Sequence, residues 1–241
     1  MDIKIKKLNN KLLKAMQIMA EHNYMSFNEV CLIVSEPQAV RYLRFLRDRD
    51  FTEIIELPLN RRLHCLSSLG WAALQNKNLL RVGKRFLPSS LRTSYISHTL
   101  ETIQARLAIE KDKEVSDFLP EKTARHYFWQ KYGEVFRGKS CDAEIFIQLK
   151  RKYKVGFEVQ LSKKSGETYE SYVRKLEQRT DLDRVLWACK NELIKKGLQQ
   201  AVLNTGTLQG HIFSLLNDIK ESGLKKTSWY DKNNKKVEIF K

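Results

Sequence analysis

The segment from Tyr153 to Leu161 constrains the fold more than any other part of the chain. Phe157, Val159 and Leu161 alternate there with Glu158 and Gln160. A period of two is the mark of a β-strand whose side chains point to opposite faces. A carboxylate in the middle of such a strand is costly to bury without a partner, so Glu158 is a candidate for chemistry rather than for packing alone. A second strand is predicted just before it, from Ser140 to Leu149, with Lys150-Arg151-Lys152 as the hairpin turn. Much of the remaining chain shows helical spacing, including Ile96, Leu100, Ile103 and Leu107. The expected fold class is therefore mixed α/β (α+β).

The first seventy-five residues have an organisation of their own. Leu8, Leu12, Ala15, Met16 and Met19 repeat at helical intervals. Ser26 with Glu29 fits a capping box that opens a second helix carrying Phe27, Val30 and Val34. Ser35 opens a third, with Pro37 in its first turn, running from Glu36 to Arg49. Val40, Leu43 and Leu46 are expected to face inward. Gln38, Arg41, Arg44 and Arg47 then form one outer stripe. FTEIIEL and RLHCLSS read as two strands around the turn Pro58 to Arg62, and LSSLGWAAL as a third strand leading into a short helix. Three helices and a hairpin in this order predict a winged helix-turn-helix. Its arginine stripe would enter a major groove, and Arg61 and Arg62 would reach phosphates.

Charge supports that expectation. Lys and Arg number 44 against 28 Asp and Glu, a formal net charge of +16, which points to a polyanionic partner, most simply nucleic acid. No apolar run has the length of a membrane span, and the N-terminus lacks a signal-peptide apolar stretch, so a cytoplasmic protein without membrane insertion is expected. Cys31, Cys65, Cys141 and Cys189 include no CxxC pair, and no HxH or HxxxH occurs. A zinc ribbon, a zincin site and a histidine-cluster metal site are disfavoured. Pro88-Ser89-Ser90 interrupts a basic stretch, which suggests domains at 1–78 and 93–241 with a linker over 79–92.

In the second domain, Asp142 opens one predicted strand and Glu158 lies within the next. An aspartate and a glutamate so placed can converge on one hard divalent cation, Mg²⁺ or Mn²⁺. A nearby lysine, Lys164 or its neighbour Lys163, could hold a water or the scissile phosphate, which completes the set for metal-assisted phosphodiester cleavage. Glu101 and Glu121 are possible further ligands. Tyr169 and Tyr172, close behind the lysines, are possible nucleophiles. Near the C-terminus LQQAVLNT reads as a strand and QGHIFSLLNDIK as a helix. Trp229 and Tyr230, among lysines, could stack on unpaired bases.

The order Asp142, fifteen residues, Glu158-Val159-Gln160, then Lys164 resembles the PD-(D/E)xK nuclease superfamily. Two positions depart from its pattern: Cys141 stands where a proline is usual, and Gln160 where a lysine is usual. GFEVQLSKKSGETYESYVRKL, with ISHTLETIQARLAI, FLPEKTAR and DLDRVLWACKNELIKKGLQQAV, is similar to the replication-relaxation family of plasmid mobilisation relaxases. The resemblance spans roughly residues 8–205. It implies a nuclease-like second domain and a relaxase that nicks one strand at a plasmid transfer origin. The implied site is Asp142 and Glu158 on the metal, with Gln160 and Lys164 completing it. The implied partners are double- and single-stranded DNA, with an accessory mobilisation protein. Two other readings stay open: a non-catalytic DNA-binding regulator on a decayed nuclease fold, and a restriction-like defence endonuclease.

Overall fold

In the computed structural model, which describes residues 8–133, 139–208 and 210–239, the Asn9 side chain accepts from the Leu12 amide at 2.9 Å and starts helix α1, Asn10–His22. Leu12, Ala15, Met16 and Met19 are buried along it, as their spacing requires. Strand β1, Met25–Ser26, precedes helix α2, Phe27–Cys31. Glu29 accepts from the Ser26 amide at 2.9 Å, which closes the expected capping box. Helix α3 is Glu36–Asp48, with Pro37 in its first turn. Its inward face is Ala39, Leu43 and Leu46. Val40, expected to face inward, is exposed: it lies about 100° round the helix from Ala39, and Ala39 takes the core position.

Strands β2, Thr52–Leu57, and β3, Arg61–Leu66, form an antiparallel hairpin, and β1 pairs on the far side of β3 with Met25 opposite His64. The order is β1-β3-β2. The third strand of this sheet therefore comes from the residues before α2. LSSLGWAAL instead enters helix α4, Ser68–Asn76, capped by the Ser67 hydroxyl on the Gly70 amide. Gly70 is required here, since a Cβ on it would lie 2.0 Å from the Phe51 carbonyl oxygen.

The chain divides into two compact units, Met1–Gln104 and Ala105–Lys241. The stretch 79–92 belongs to the first: Val82 is buried, and Arg85 donates to Glu53 at 3.1 Å and to the Leu66 carbonyl at 3.2 Å. The division falls inside helix α5, Ile96–Ile109, later than the expected linker, because that basic stretch has side chains with partners.

The second unit holds a seven-stranded sheet. Its elements in chain order are β4 (Val115–Pro120), α6 (Glu121–Tyr132), β5 (Ala143–Gln148), β6 (Lys152–Gln160), α7 (Gly166–Glu177), β7 (Arg184–Cys189), α8 (Glu192–Thr205), β8 (Gly210–Leu215), α9 (Leu216–Lys226), β9 (Trp229–Tyr230) and β10 (Lys236–Val237). Strands β4, β5 and β6 form an antiparallel meander, and β6, β7 and β8 run parallel. Strands β9 and β10 extend the β8 edge antiparallel. One face of the sheet packs Ile109, Phe118, Ile145, Phe157, Leu186 and Leu216. The other packs Val173, Leu176 and Leu198 around Trp187 and Phe213.

Two expectations near the C-terminus are corrected. LQQAVLNT is the second half of helix α8, whose Asn191 cap and buried Ile194, Leu198, Ala201 and Val202 set a helical period begun upstream. HIFSL is strand β8. It is buried on both faces, so it shows a continuous apolar run instead of alternation, and such a run has no period of its own. Trp229 is fully buried in the sheet and donates to the Leu224 carbonyl, so it offers no ring to a base.

Candidate functional site

The hairpin β5–β6 brings the two predicted carboxylates together. Ala143 lies opposite Phe157 in this antiparallel pair, which places Asp142 beside Glu158 at the next position. Asp142 is fixed further: its Oδ2 accepts from the Val159 amide at 2.7 Å, one residue beyond Glu158. Gly156 makes room for this end of the hairpin, because a Cβ there would come within 2.5 Å of the Cys141 sulfur. Cys141 therefore fills, as a buried small side chain, the position where a proline was the pattern. Burial and the nearby Glu158 charge raise its thiol well above the ordinary range, so it is not a nucleophile at neutral pH.

Glu158 is buried, and its partner is a residue the sequence reading missed. Lys139 Nζ lies 2.5 Å from Glu158 Oε1. Burial pulls the Lys139 ammonium toward neutrality, but Glu158 and then Asp142 oppose this and win, so its pKa is raised and it stays charged. The signal was available in sequence: Lys139 stands three residues before Asp142, in GKSCD. Gln160, two residues along β6 from Glu158 and so on the same side of the strand, is buried too, but it carries no charge.

Lys164 lies elsewhere in this constellation. Its Nζ donates to the Tyr172 hydroxyl at 3.0 Å and sits 4.2 Å from the centre of the Tyr172 ring. The same ring has Lys139 Nζ 4.8 Å from its centre. Tyr172 thus connects the predicted lysine to the one that pairs with Glu158. Tyr169 is buried. Its hydroxyl donates to the Ser162 carbonyl at 3.3 Å and accepts from the Lys164 amide at 3.2 Å. Burial raises its pKa. It anchors the β6–α7 loop and is a poor source of phenolate.

Glu121 and Glu101 are the two remaining acidic candidates. The Glu121 amide bonds the Asp142 carbonyl at 2.9 Å, but its carboxylate accepts from Arg125 at 2.7 Å on the exposed start of α6. Glu101 lies on α5 within the first unit. Among the described residues no three His, Cys, Asp or Glu side chains form a ready-made metal cage. The donors on hand are two carboxylates and the Gln160 amide. Beneath the hairpin a second ionic cluster has a structural role. Glu144 accepts from Arg179 at 2.5 Å and pairs with Lys154 at 2.8 Å, while Arg179 also reaches Asp181 at 2.7 Å. Burial opposes the Arg179 charge, yet Asp181 and Glu144 outweigh it. This cluster ties both strands of the hairpin to the α7–β7 loop.

In the first unit the stripe Gln38, Arg41, Arg44 and Arg47 is exposed along its length. Arg61 and Arg62 are exposed on β3. Arg47, Arg61, Arg62 and His64 line one cavity of about 580 Å³, so the end of the helical stripe and the hairpin arginines converge. Burial, then Arg47 and Arg62, lower His64 to about 4. It is neutral at pH 7 and does not add to the positive field. No family model, curated protein or solved structure matches the chain.

Proposed function

We propose that the protein is a metal-dependent DNA strand-nicking endonuclease, with a winged helix-turn-helix in its first unit and a PD-(D/E)xK-like nuclease domain in its second. The observation that carries this reading is the Asp142–Glu158 pair at the end of the β5–β6 hairpin, with a charged lysine on it. The order helix, three antiparallel strands, helix, parallel strand, formed by α5, β4, β5, β6, α7 and β7, supports the nuclease assignment, although α6 interrupts it. The sheet order β1-β3-β2 with three helices and a hairpin supports the winged-helix assignment.

The donor set fits Mg²⁺ or Mn²⁺. Two carboxylates and an amide oxygen match a hard cation that keeps most of its waters. Asp142 is oriented at the site by the Val159 amide, which donates to its Oδ2 at 2.7 Å. A cation held by Asp142 and Glu158 would supply polarisation of the phosphoryl group and a water of lowered pKa. The protein's own part is positional. Asp142 and Glu158 would hold the cation, Gln160 adds an uncharged donor and acceptor, and Lys139 would supply positive charge where negative charge develops on the phosphate. Arg41 and Arg44 read a groove while Arg47, Arg61 and Arg62 take backbone phosphates. A plasmid transfer origin, and hence conjugative mobilisation in the cytoplasm with an accessory protein, is the biological setting that the family resemblance suggests.

The test is incubation of purified protein with supercoiled plasmids, one carrying a mobilisation origin and one lacking it, in EDTA, Mg²⁺ or Mn²⁺. Origin- and metal-dependent open circles support the proposal. Linear product from both plasmids points to a defence endonuclease, and tight binding with unbroken DNA under every metal points to a non-catalytic regulator.

A further inference from the structure

The sequence offers Tyr172 as a nucleophile, but the geometry points to a different role: we infer that Tyr172 is a positioning residue that holds Lys139 and Lys164 as a two-ammonium clamp for the phosphate at the Asp142–Glu158 pair. This rests on the nuclease reading and adds to it the origin of the site's positive half. Three contacts carry the inference. Lys139 and Lys164 stand 4.8 and 4.2 Å from the centre of the same ring, and Lys164 also donates to the ring's hydroxyl at 3.0 Å. Lys139 in turn lies 2.5 Å from Glu158. Two ammonium groups repel, and each long side chain has several rotamers. A shared aromatic ring attracts both and confines them.

The two ring distances cap the separation of the ammonium groups at 9.0 Å. A phosphate that takes a charge-assisted hydrogen bond of about 2.8 Å from each ammonium needs the two well inside that cap, on one side of the ring. The clamp also explains how a site with Gln160 at the third strand position retains positive charge. Lys139 arrives from the segment before β5 and Lys164 from the segment after β6, and the Tyr172 ring on α7 lies against both. Tyr172 is half-buried against Val173, Leu176 and their neighbours, which fixes the ring itself.

The experiment compares Y172F and Y172L in metal-dependent nicking of an origin plasmid, with kcat and KM measured separately and products run on a denaturing gel. Y172F keeps the π face and is expected to nick within about threefold of wild type; Y172L loses the face and is expected to fall about thirtyfold, mostly in kcat. In the wild type the Lys139 and Lys164 side-chain resonances are expected to carry ring-current shifts that persist in Y172F and vanish in Y172L. If Y172L melts early, Lys164→Met replaces it, leaving the ring and the acid pair in place, with about a tenfold loss expected. Unchanged nicking by Y172L overturns the inference and leaves the nuclease reading standing. So does an inactive Y172F together with a covalent protein–DNA product in the wild type, since the tyrosine is then the nucleophile. A wild type that cuts under no metal removes the nuclease reading and the clamp together.

Discussion

Replacing Lys139 with methionine tests the site's electrostatics without any substrate. The Glu158 side chain is 2% exposed and that of Lys139 is 20% exposed. Methionine keeps most of the apolar stem and removes the charge. Glu158 then lies beside Asp142 without the Lys139 ammonium. Losing one partner of a buried ion pair costs about 3–5 kcal/mol, and the partial exposure of Lys139 places this variant near the lower end, about 3 kcal/mol. The variant has one escape: its Glu158 can take up a proton. Its folded-state pKa then lies above the unfolded value of about 4.3, so the folded form binds more protons and stability falls as pH rises through that raised pKa. The deficit should therefore be largest at pH 8 and shrink toward pH 5. Urea unfolding at both pH values measures it, followed by the fluorescence of the buried Trp187 and Trp229. The double variant K139M/E158Q should recover most of the loss, because the buried Glu158 charge is removed together with its partner. A K139M midpoint equal to wild type at pH 8, or a deficit that does not change with pH, would refute the reasoning.

Arg44→Ala should weaken duplex binding and lower the slope of log K against log salt by about 0.9, the share of one phosphate contact, while thermal stability is unchanged because Arg44 is exposed; a salt titration by fluorescence anisotropy reads the slope. His211 concerns the second unit. Its Nδ1 accepts from Trp187 Nε1 at 2.9 Å, and burial, then Lys232, lower it to about 4. The unfolded chain binds the proton first, so stability falls as pH drops from about 6.5 to 4, by about 3 kcal/mol at 1.36 kcal/mol per unit. His211→Gln should flatten that part of the pH–stability curve measured by urea unfolding.

Alternation at 157–161 and the capping box at Ser26 were legible because short-range geometry decides them: a strand's two faces and a helix's first turn depend on neighbours in sequence. The same local logic brought Asp142 to Glu158, since a hairpin with a short turn pairs its strands in register. Strand β8 was not legible. Its residues are buried on both faces, and its partners β7 and β9 are separated from it by α8 and α9. β1 was also missed, for two residues carry no period and pair only because β3 passes beside them. Lys164 was read as the site's lysine from its closeness to Glu158 along the chain. The lysine that touches Glu158 stands nearly twenty positions upstream and is brought there by the hairpin. Val40 and Trp229 show the same limit from the other side: pattern marks a residue as apolar or aromatic, and only the packed neighbours decide which face it takes.

The proposed function requires that the Asp142–Glu158 pair cuts DNA that the first unit binds. The most direct measurement scores Asp142→Asn and Glu158→Gln for nicking and for duplex affinity in the same metal-containing buffer. The account predicts that each variant loses at least about a hundredfold in nicking rate, on the order of 3 kcal/mol of transition-state stabilisation, while its affinity stays within about twofold of wild type. Wild-type nicking by both variants would contradict it.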